Sequence, residues 1–362
     1  MSVTLRTPLC DMLGCRYPIV QTAMGWVATA QLVIGTGKAG GFGFLAGATM
    51  STEEMEASIL AVKAATDAPF GVNFHSFQPN AAEIVDLVIK HRVRAVSYGR
   101  GPSAKIIKRM KDEGVLCMPT IGAPKHAVKA VELGADIITV QGGEGGGHTG
   151  FIPTTVLLPQ VLDAVKVPVV AAGGMFDGRS LAAALAWGAS GIAMGSRFLM
   201  TTDSPVPEST KKRYLAAKDP SEIRITYAVD GMSQRFVINE EIKRLENMGR
   251  LPRLVMSLRH ALQYGRETGM TMTQMLKVAR DAAFGDGMRF AETVMAANLP
   301  VMVQKGVVEG DAVHGLLPGG QAIAAIRKLE SCEELIGRIV SEASARLEAL
   351  GAAHLTQNSG AA

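Results

Sequence analysis

Short β-branched or apolar runs recur through the first 200 residues, at 18–23 (PIVQTA), 42–46 (FGFLA), 70–74 (FGVNF), 94–98 (RAVSY), 116–121 (LCMPTI), 136–141 (DIITVQ), 168–172 (PVVAA) and 191–195 (GIAMG). Most gaps between these eight runs carry apolar positions at helical spacing: 52–66, 80–92, 103–113, 124–133, 154–165 and 178–187. The first of these opens on Ser51, Thr52 and Glu54, a capping-box arrangement. Eight strand–helix beats predict an α/β chain folded as a (β/α)8 TIM barrel over 1–202. An open doubly wound sheet is the rival, but its phosphate loop would come early. Here the glycine-rich turns follow the sixth, seventh and eighth runs.

Beyond residue 203 the beat changes. The stretch 203–315 is rich in Met, Lys, Arg and Glu, with few strand-like runs, and reads as a mostly helical second domain or cap. The segment 316–362 opens with a glycine turn (LLPGGQA) and continues into an amphipathic helix at 331–349, expected to pack back on the barrel. Gly35, Gly37 and Gly40 match the spacing of a dinucleotide fingerprint, but a helix precedes them and a strand follows. They therefore read as a helix end and turn.

Composition narrows the class. Hydrophobic residues make up 48% and charged residues 19%, enough for a sizeable core. Aromatics are 5% and the net charge is +4, so no nucleic-acid partner is expected. Cys10, Cys15, Cys117 and Cys332 form no CxxC pair, which argues against a zinc site or disulfide framework and for a reduced, cytoplasmic protein. No apolar leader and no membrane-length apolar run is visible.

The chemistry concentrates at 141–150, QGGEGGGHTG. Its glycines let backbone come very close to a ligand, and Gln141 and Gly147 are expected among the cofactor-binding residues. His148 inside it suits a general base, with Glu144 nearby. The turns 171–175 (AAGGM) and 194–197 (MGSR) offer Gly173, Gly174, Gly195 and Ser196 to a phosphate. At the end of the first run, Ala23, Met24 and Gly25 would let a flat ring lie against the backbone. At the end of the third, the Asn73 amide can pair with a ring edge that both donates and accepts. A ligand with a phosphate and a flat polar ring is implied, and FMN fits best.

These residues resemble the nitronate monooxygenase family, formerly the 2-nitropropane dioxygenases, which includes flavin-dependent enoyl-ACP reductases. The resemblance rests on PIVQTAM, FGVN, GGEGGGHTG, VPVVAAGGM, GIAMGSRF, the late GGQ and SCEELIGRIVSEA. It implies an FMN-dependent barrel closed by a small helical domain. In that arrangement Ala23, Met24 and Gly25 line the flavin and Asn73 meets its pyrimidine edge. Gly147, Gly173, Gly174, Gly195 and Ser196 hold ribityl and phosphate groups, His148 is the base, and Gln321 approaches the ring. The family commonly carries Glu-Ala-Gly-Gly-His where this chain has Glu-Gly-Gly-Gly-His.

QTAMGWVA, TTDSPVP, KKRYL and VDGM resemble more narrowly the flavoenzymes of steroid ring C/D breakdown, which act on a bicyclic indane-type acyl-CoA. That resemblance implies α,β-desaturation of a CoA thioester, with NAD(H) as a candidate co-substrate. Oxidation of alkyl nitronates with O2 and NAD(P)H-dependent enoyl-thioester reduction use the same base and flavin and are the alternatives; a flavin-binding regulator is the non-catalytic one. Residues 243–280 hold eight basic and two acidic residues with interleaved methionines. This stretch is a candidate CoA-binding cap, a solvated basic face over a methionine core, or a protein-binding face. A homo-oligomer is compatible with the sequence, and no metal site is expected.

Overall fold

The computed structural model describes residues 5–249 and 298–355, apart from Phe77, Arg100 and Pro102, together with 252–253, 255–260 and 262. Every strand-like run becomes a strand. In chain order these are β1 (Ile19–Gln21), β2 (Phe42–Ala46), β3 (Gly71–Asn73), β4 (Ala95–Ser97), β5 (Leu116–Cys117), β6 (Thr120–Ile121) and β7 (Ile138–Gln141), then β8 (Gly147–His148), β9 (Val169–Ala172) and β10 (Gly191–Met194). Strands β5 and β6 are two halves of one run, split where Pro119 supplies no N–H to the ladder. Without β8, which belongs elsewhere, the strands pair in parallel in the order β5-β4-β3-β2-β1-β10-β9-β7-β6.

The ring closes through the split run. On one side Met118 N donates to Val96 O (2.8 Å) and Thr120 N to Tyr98 O (3.0 Å). On the other, Thr139 N donates to Pro119 O (2.9 Å) and Thr120 pairs with Thr139. The result is the expected (β/α)8 barrel.

Alternation along the strands decides what faces where. Val20, Phe42, Phe44, Ala95, Met118, Val170, Ala172 and Ala193 form an interior cluster with Leu9, Cys10 and Leu13 of the helix Pro8–Leu13. The out-facing set, including Ile138, Val140, Val169, Ala171 and Ile192, packs in a separate cluster that includes helix residues. Phe42 and Phe44 meet edge to face at 5.2 Å. The Phe44 ring demands Gly71: a Cβ there would lie 2.3 Å from it.

The helices form where apolar spacing and caps predict them. Ser51 and Glu54 make the reciprocal capping box of Thr52–Ala65. Residues 30–38 are helical, so the fingerprint-like glycines lie in a helix and its exit, with Gly40 at φ 91°. The stretch 203–315 contains helices, including Asn298–Val307, and also two strands that its composition did not announce: β11 (Ile223–Thr226) and β12 (Gln234–Val237). They pair antiparallel, and β12 adds β8 from the barrel, giving a three-stranded sheet β11-β12-β8. Among the described residues no helix is long and apolar enough to cross a membrane.

The helix Cys332–Leu355 packs mainly on Gly178–Ala186 and is tied to the barrel by a charged cluster. Glu330, 3% exposed, accepts from Arg197 at 2.5 Å and from both ends of the Arg338 guanidinium at 2.8 Å. Glu342 bonds Arg338 in turn and accepts from Gly178 N (2.9 Å). Arg338 foremost, with Lys328 and Arg197, holds the Glu330 carboxyl down at about 2 against the opposing effect of burial.

That folded value lies below the ordinary 4.5, so the contribution of Glu330 is complete above about pH 4.5 and is lost as pH falls toward 2. Glu330→Gln leaves Arg197 buried without its counter-charge and should cost about 3–5 kcal/mol in urea unfolding at neutral pH. The gap between variant and parent should close as the pH of the measurement is lowered.

Candidate active site

The turns after β1, β7, β9 and β10 and the late turn 318–320 converge on one end of the barrel, beyond the C-terminal ends of the strands. They enclose a cavity of about 360 Å³. Its walls come from five places: Thr22–Trp26 after β1, Gln141–His148 after β7, Gly173–Met175 after β9, Gly195–Ser196 after β10, and Pro318–Gly320 with Ala322. Gln234 of β12 and the side chains Leu199, Leu299, Val303 and Val307 complete it. The last three stand four residues apart on one face of Asn298–Val307 and make an apolar wall.

Ten of the twelve residues expected at the site line this cavity: Ala23, Met24, Gly25, Gln141, Gly147, His148, Gly173, Gly174, Gly195 and Ser196. Asn73 and Gln321 do not. The Asn73 amide donates instead to Ser97 O and Ser97 Oγ, both at 3.0 Å, and bridges β3 to β4. The Gln321 side chain is exposed, and its backbone N–H donates to Glu144 O (2.9 Å). The Asn73 side chain thus holds β3 to β4, and the Gln321 main chain holds the late turn to the glycine loop.

The glycine loop is ordered by close backbone contact. Gly142 N donates to Ala172 O (2.9 Å), Gly143 N to Ile152 O (2.7 Å), and Gln141 Nε2 to His148 O (3.0 Å). Glu144 is spent on structure: its carboxylate accepts from Thr154 N and Thr154 Oγ1. Beneath the loop lies Arg235, 7% exposed, which donates to Gly143 O (2.7 Å), Gly145 O (3.2 Å) and Ile223 O (3.2 Å). Burial lowers its pKa, partly offset by the charge of Glu144. Ser196 Oγ accepts from Gly320 N (2.9 Å), so the late glycine turn is fastened to the end of β10.

His148 pairs with Gln234 across β8 and β12, and its imidazole is about half exposed (47%). Its Nε2 stands 2.9 Å from Asp230 Oδ2. Asp230 is buried (1% exposed) and also accepts from Gln234 Nε2 (2.5 Å) and Met232 N (2.9 Å). Burial alone would raise its pKa; hydrogen bonds from His148, Gln234 and Met232 outweigh that and hold it below the usual carboxylate range. Asp230, Gln234 and Arg235 were not singled out from sequence. The alternating runs IRIT and QRFV were the available signal for β11 and β12.

The site fits a ligand that carries a phosphate. Gly173 and Gly174 hold φ of 91° and 75°, and among the described residues the backbone N–H groups of Gly173, Gly174 and Met175 donate to no protein acceptor. A Cβ on Gly195 would stand 3.3 Å from Thr22 Oγ1 and 3.5 Å from Met24 Sδ, filling the space between them. Trp26 adopts φ 62°, a conformation bulky residues rarely hold, and presents its residue to the cavity. No three His, Cys, Asp or Glu side chains among the described residues are placed to hold a metal ion.

The basic stretch 243–280 is described only in part. Arg250, Arg266, Lys277, Arg280, Met270, Met272, Met275 and Glu267 lie outside the described residues. Of the rest, Lys243 and Arg244 are paired with Glu240 and Glu241, and Arg253 donates to Met248 O.

The family model for nitronate monooxygenase matches residues 6–86 and 81–342. Two dehydrogenases named for (3aS,4S,5R,7aS)-5-hydroxy-7a-methyl-1-oxo-octahydro-1H-indene-4-carboxyl-CoA are similar over nearly the whole length. The one from Rhodococcus jostii RHA1 is 45% identical over 349 residues, 96% of this chain and 99% of that protein. The one from Mycobacterium tuberculosis H37Rv is 46% identical over 351 residues, with the same coverage. Among solved structures, FabK from Thermotoga maritima superposes with a TM-score of 0.76 at 28% identity, over 96% of this chain and 99% of that one. The chain belongs to the nitronate monooxygenase family.

The tightness of the loop is testable apart from its chemistry. A Cβ on Gly146 would lie 2.6 Å from the Gly319 carbonyl carbon and Gly320 N, whereas one on Gly150 meets nothing within 4 Å. Gly146→Ala should therefore cost about 1–3 kcal/mol, seen as a lowered urea midpoint. Gly150→Ala should leave that midpoint unchanged.

Proposed function

We propose that this member of the nitronate monooxygenase family is an FMN-dependent dehydrogenase that desaturates the α,β bond of a bicyclic acyl-CoA thioester. The observation that carries the substrate class is the similarity to the two indene-carboxyl-CoA dehydrogenases at 45% and 46% identity, which spans 96% of this chain and so includes the region beyond the barrel. The chain is an oxidoreductase; the thioester is the finer reading. The apolar residues Leu299, Val303 and Val307, which line the same cavity as polar Gln234 and His148, support it, because a fused carbocycle needs such a surface.

Ala23, Met24 and Gly25 would lie along the flavin ring, and Gly173, Gly174, Gly195 and Ser196 would hold its ribityl and phosphate groups, with Gly147 at the loop. When bound, FMN supplies the two-electron acceptor for the hydride lost from the substrate. The chain supplies the rest. His148 accepts the proton from the carbon next to the thioester carbonyl, the most acidic C–H of such a substrate. The free N–H groups of Gly173, Gly174 and Met175 would offset the charge of the phosphate. The apolar wall excludes water from the reacting carbons. For the onward electron acceptor we propose NAD+, which the family resemblance supports. Residues 203–315 act in this scheme as the cap that selects the acyl group.

Anaerobic mixing with fused-ring acyl-CoAs should bleach the flavin absorption, and alkyl nitronates should not. Bleaching by nitronates alone would overturn the substrate class. His148→Ala should keep FMN while losing turnover by about 10²–10⁴-fold, measured as steady-state kcat against flavin content. Gly195→Asp, which adds bulk and negative charge between Thr22 and Met24, should purify colourless and resist reconstitution.

A further inference from the structure

We infer that Asp230 is a positioning residue: it fixes the His148 ring as the Nε2–H tautomer and leaves Nδ1 as the atom that receives the substrate proton. The inference rests on the reading above in taking His148 as the base. It goes beyond that reading in assigning the reacting nitrogen and the residue that determines it.

The donors around Asp230 carry the inference. Its Oδ1 accepts from Met232 N at 2.9 Å, and its Oδ2 accepts from Gln234 Nε2 at 2.5 Å. Burial would raise its pKa, but hydrogen bonds from His148, Gln234 and Met232 hold it below the usual carboxylate range, so it is ionised at neutral pH. The group is therefore a carboxylate. A carboxylate has nothing to donate, so the 2.9 Å contact between Oδ2 and His148 Nε2 is an N–H···O bond with histidine as donor. A neutral imidazole with its proton on Nε2 has its lone pair on Nδ1. Rotation about the Cβ–Cγ bond would break the contact, so the carboxylate fixes the ring's orientation as well as its tautomer.

The backbone holds this pair in place. His148 stands in β8 opposite Gln234 in β12, so strand pairing sets the height of the imidazole beside the residue that also binds Asp230. Asn298, fully buried, donates to Val229 O (3.3 Å) and steadies the segment that carries Asp230. His148 and Gln234 line the cavity, whereas Asp230 does not, so the carboxylate acts on the reaction through the imidazole alone. In the proton step, the α-carbon C–H bond breaks, its proton goes to Nδ1, and its electron pair stays on the substrate. The resulting imidazolium keeps its Nε2–H contact with the Asp230 carboxylate.

The test uses the flavin-loaded protein labelled with 15N-histidine. The His148 signals are assigned by their loss in His148→Gln, and the two ring nitrogens are distinguished by their chemical shifts as protonated or unprotonated. Wild type should show Nε2 protonated and Nδ1 bare; the reverse pattern overturns the inference and needs no Asp230 variant. Asp230→Asn can turn its amide to donate to Nε2, so it should move the proton to Nδ1. It should lower kcat by about 10²–10⁴-fold with KM and flavin content unchanged, and Asp230→Glu should recover part of the loss. Wild-type kcat in Asp230→Asn overturns the inference. If wild type turns over nitronates and not acyl-CoAs, the substrate reading fails while the tautomer measurement and the kcat comparison still decide the role of Asp230.

Discussion

Arg235 is the residue that makes the glycine loop possible. A backbone with so little side-chain bulk has much freedom to lose, and that freedom must be offset by contacts made elsewhere. The buried guanidinium does this by gathering the carbonyls of Gly143, Gly145 and Ile223 around one fixed fork of donors. The loop is thereby pinned from beneath while its upper surface remains bare backbone. Arg235 also sits beside Gln234 in β12, so the strand that clamps the loop is the strand that aligns the imidazole.

The barrel was legible because its strands are apolar runs and its helices carry caps and period; these are local signals. Ser51 and Glu54, three residues apart, declare a helix start without help from the rest of the chain. The glycine turns after β7, β9 and β10 were legible for the same reason, and ten expected residues meet in one cavity. The carboxylate partner of His148 was not legible, because it lies 82 residues away in sequence and is brought close by a sheet with strands from two regions of the chain. Arg235 was missed for the same reason, since its partner Gly143 lies 92 residues away.

Asn73 shows a different limit. A polar residue in an apolar strand signals that some partner exists, and sequence cannot say whether that partner is a ligand or the neighbouring strand. Here Ser97 takes both amide hydrogens. Gln321 is the converse: its turn belongs to the site, but the contact runs through its main chain to Glu144. Proximity in a motif thus fixed the neighbourhood without fixing which atoms face the cavity.

The cavity walls run from Thr22 to Ala322, and the helix that braces them follows at Cys332–Leu355. A nascent chain emerging from the ribosome therefore presents the early wall-forming turns long before their partners exist. Capture of a small prosthetic molecule consequently follows synthesis of the chain through Ala322. Until then the exposed interior is a target for chaperones, and cofactor supply bears on the yield of active protein as well as on its rate.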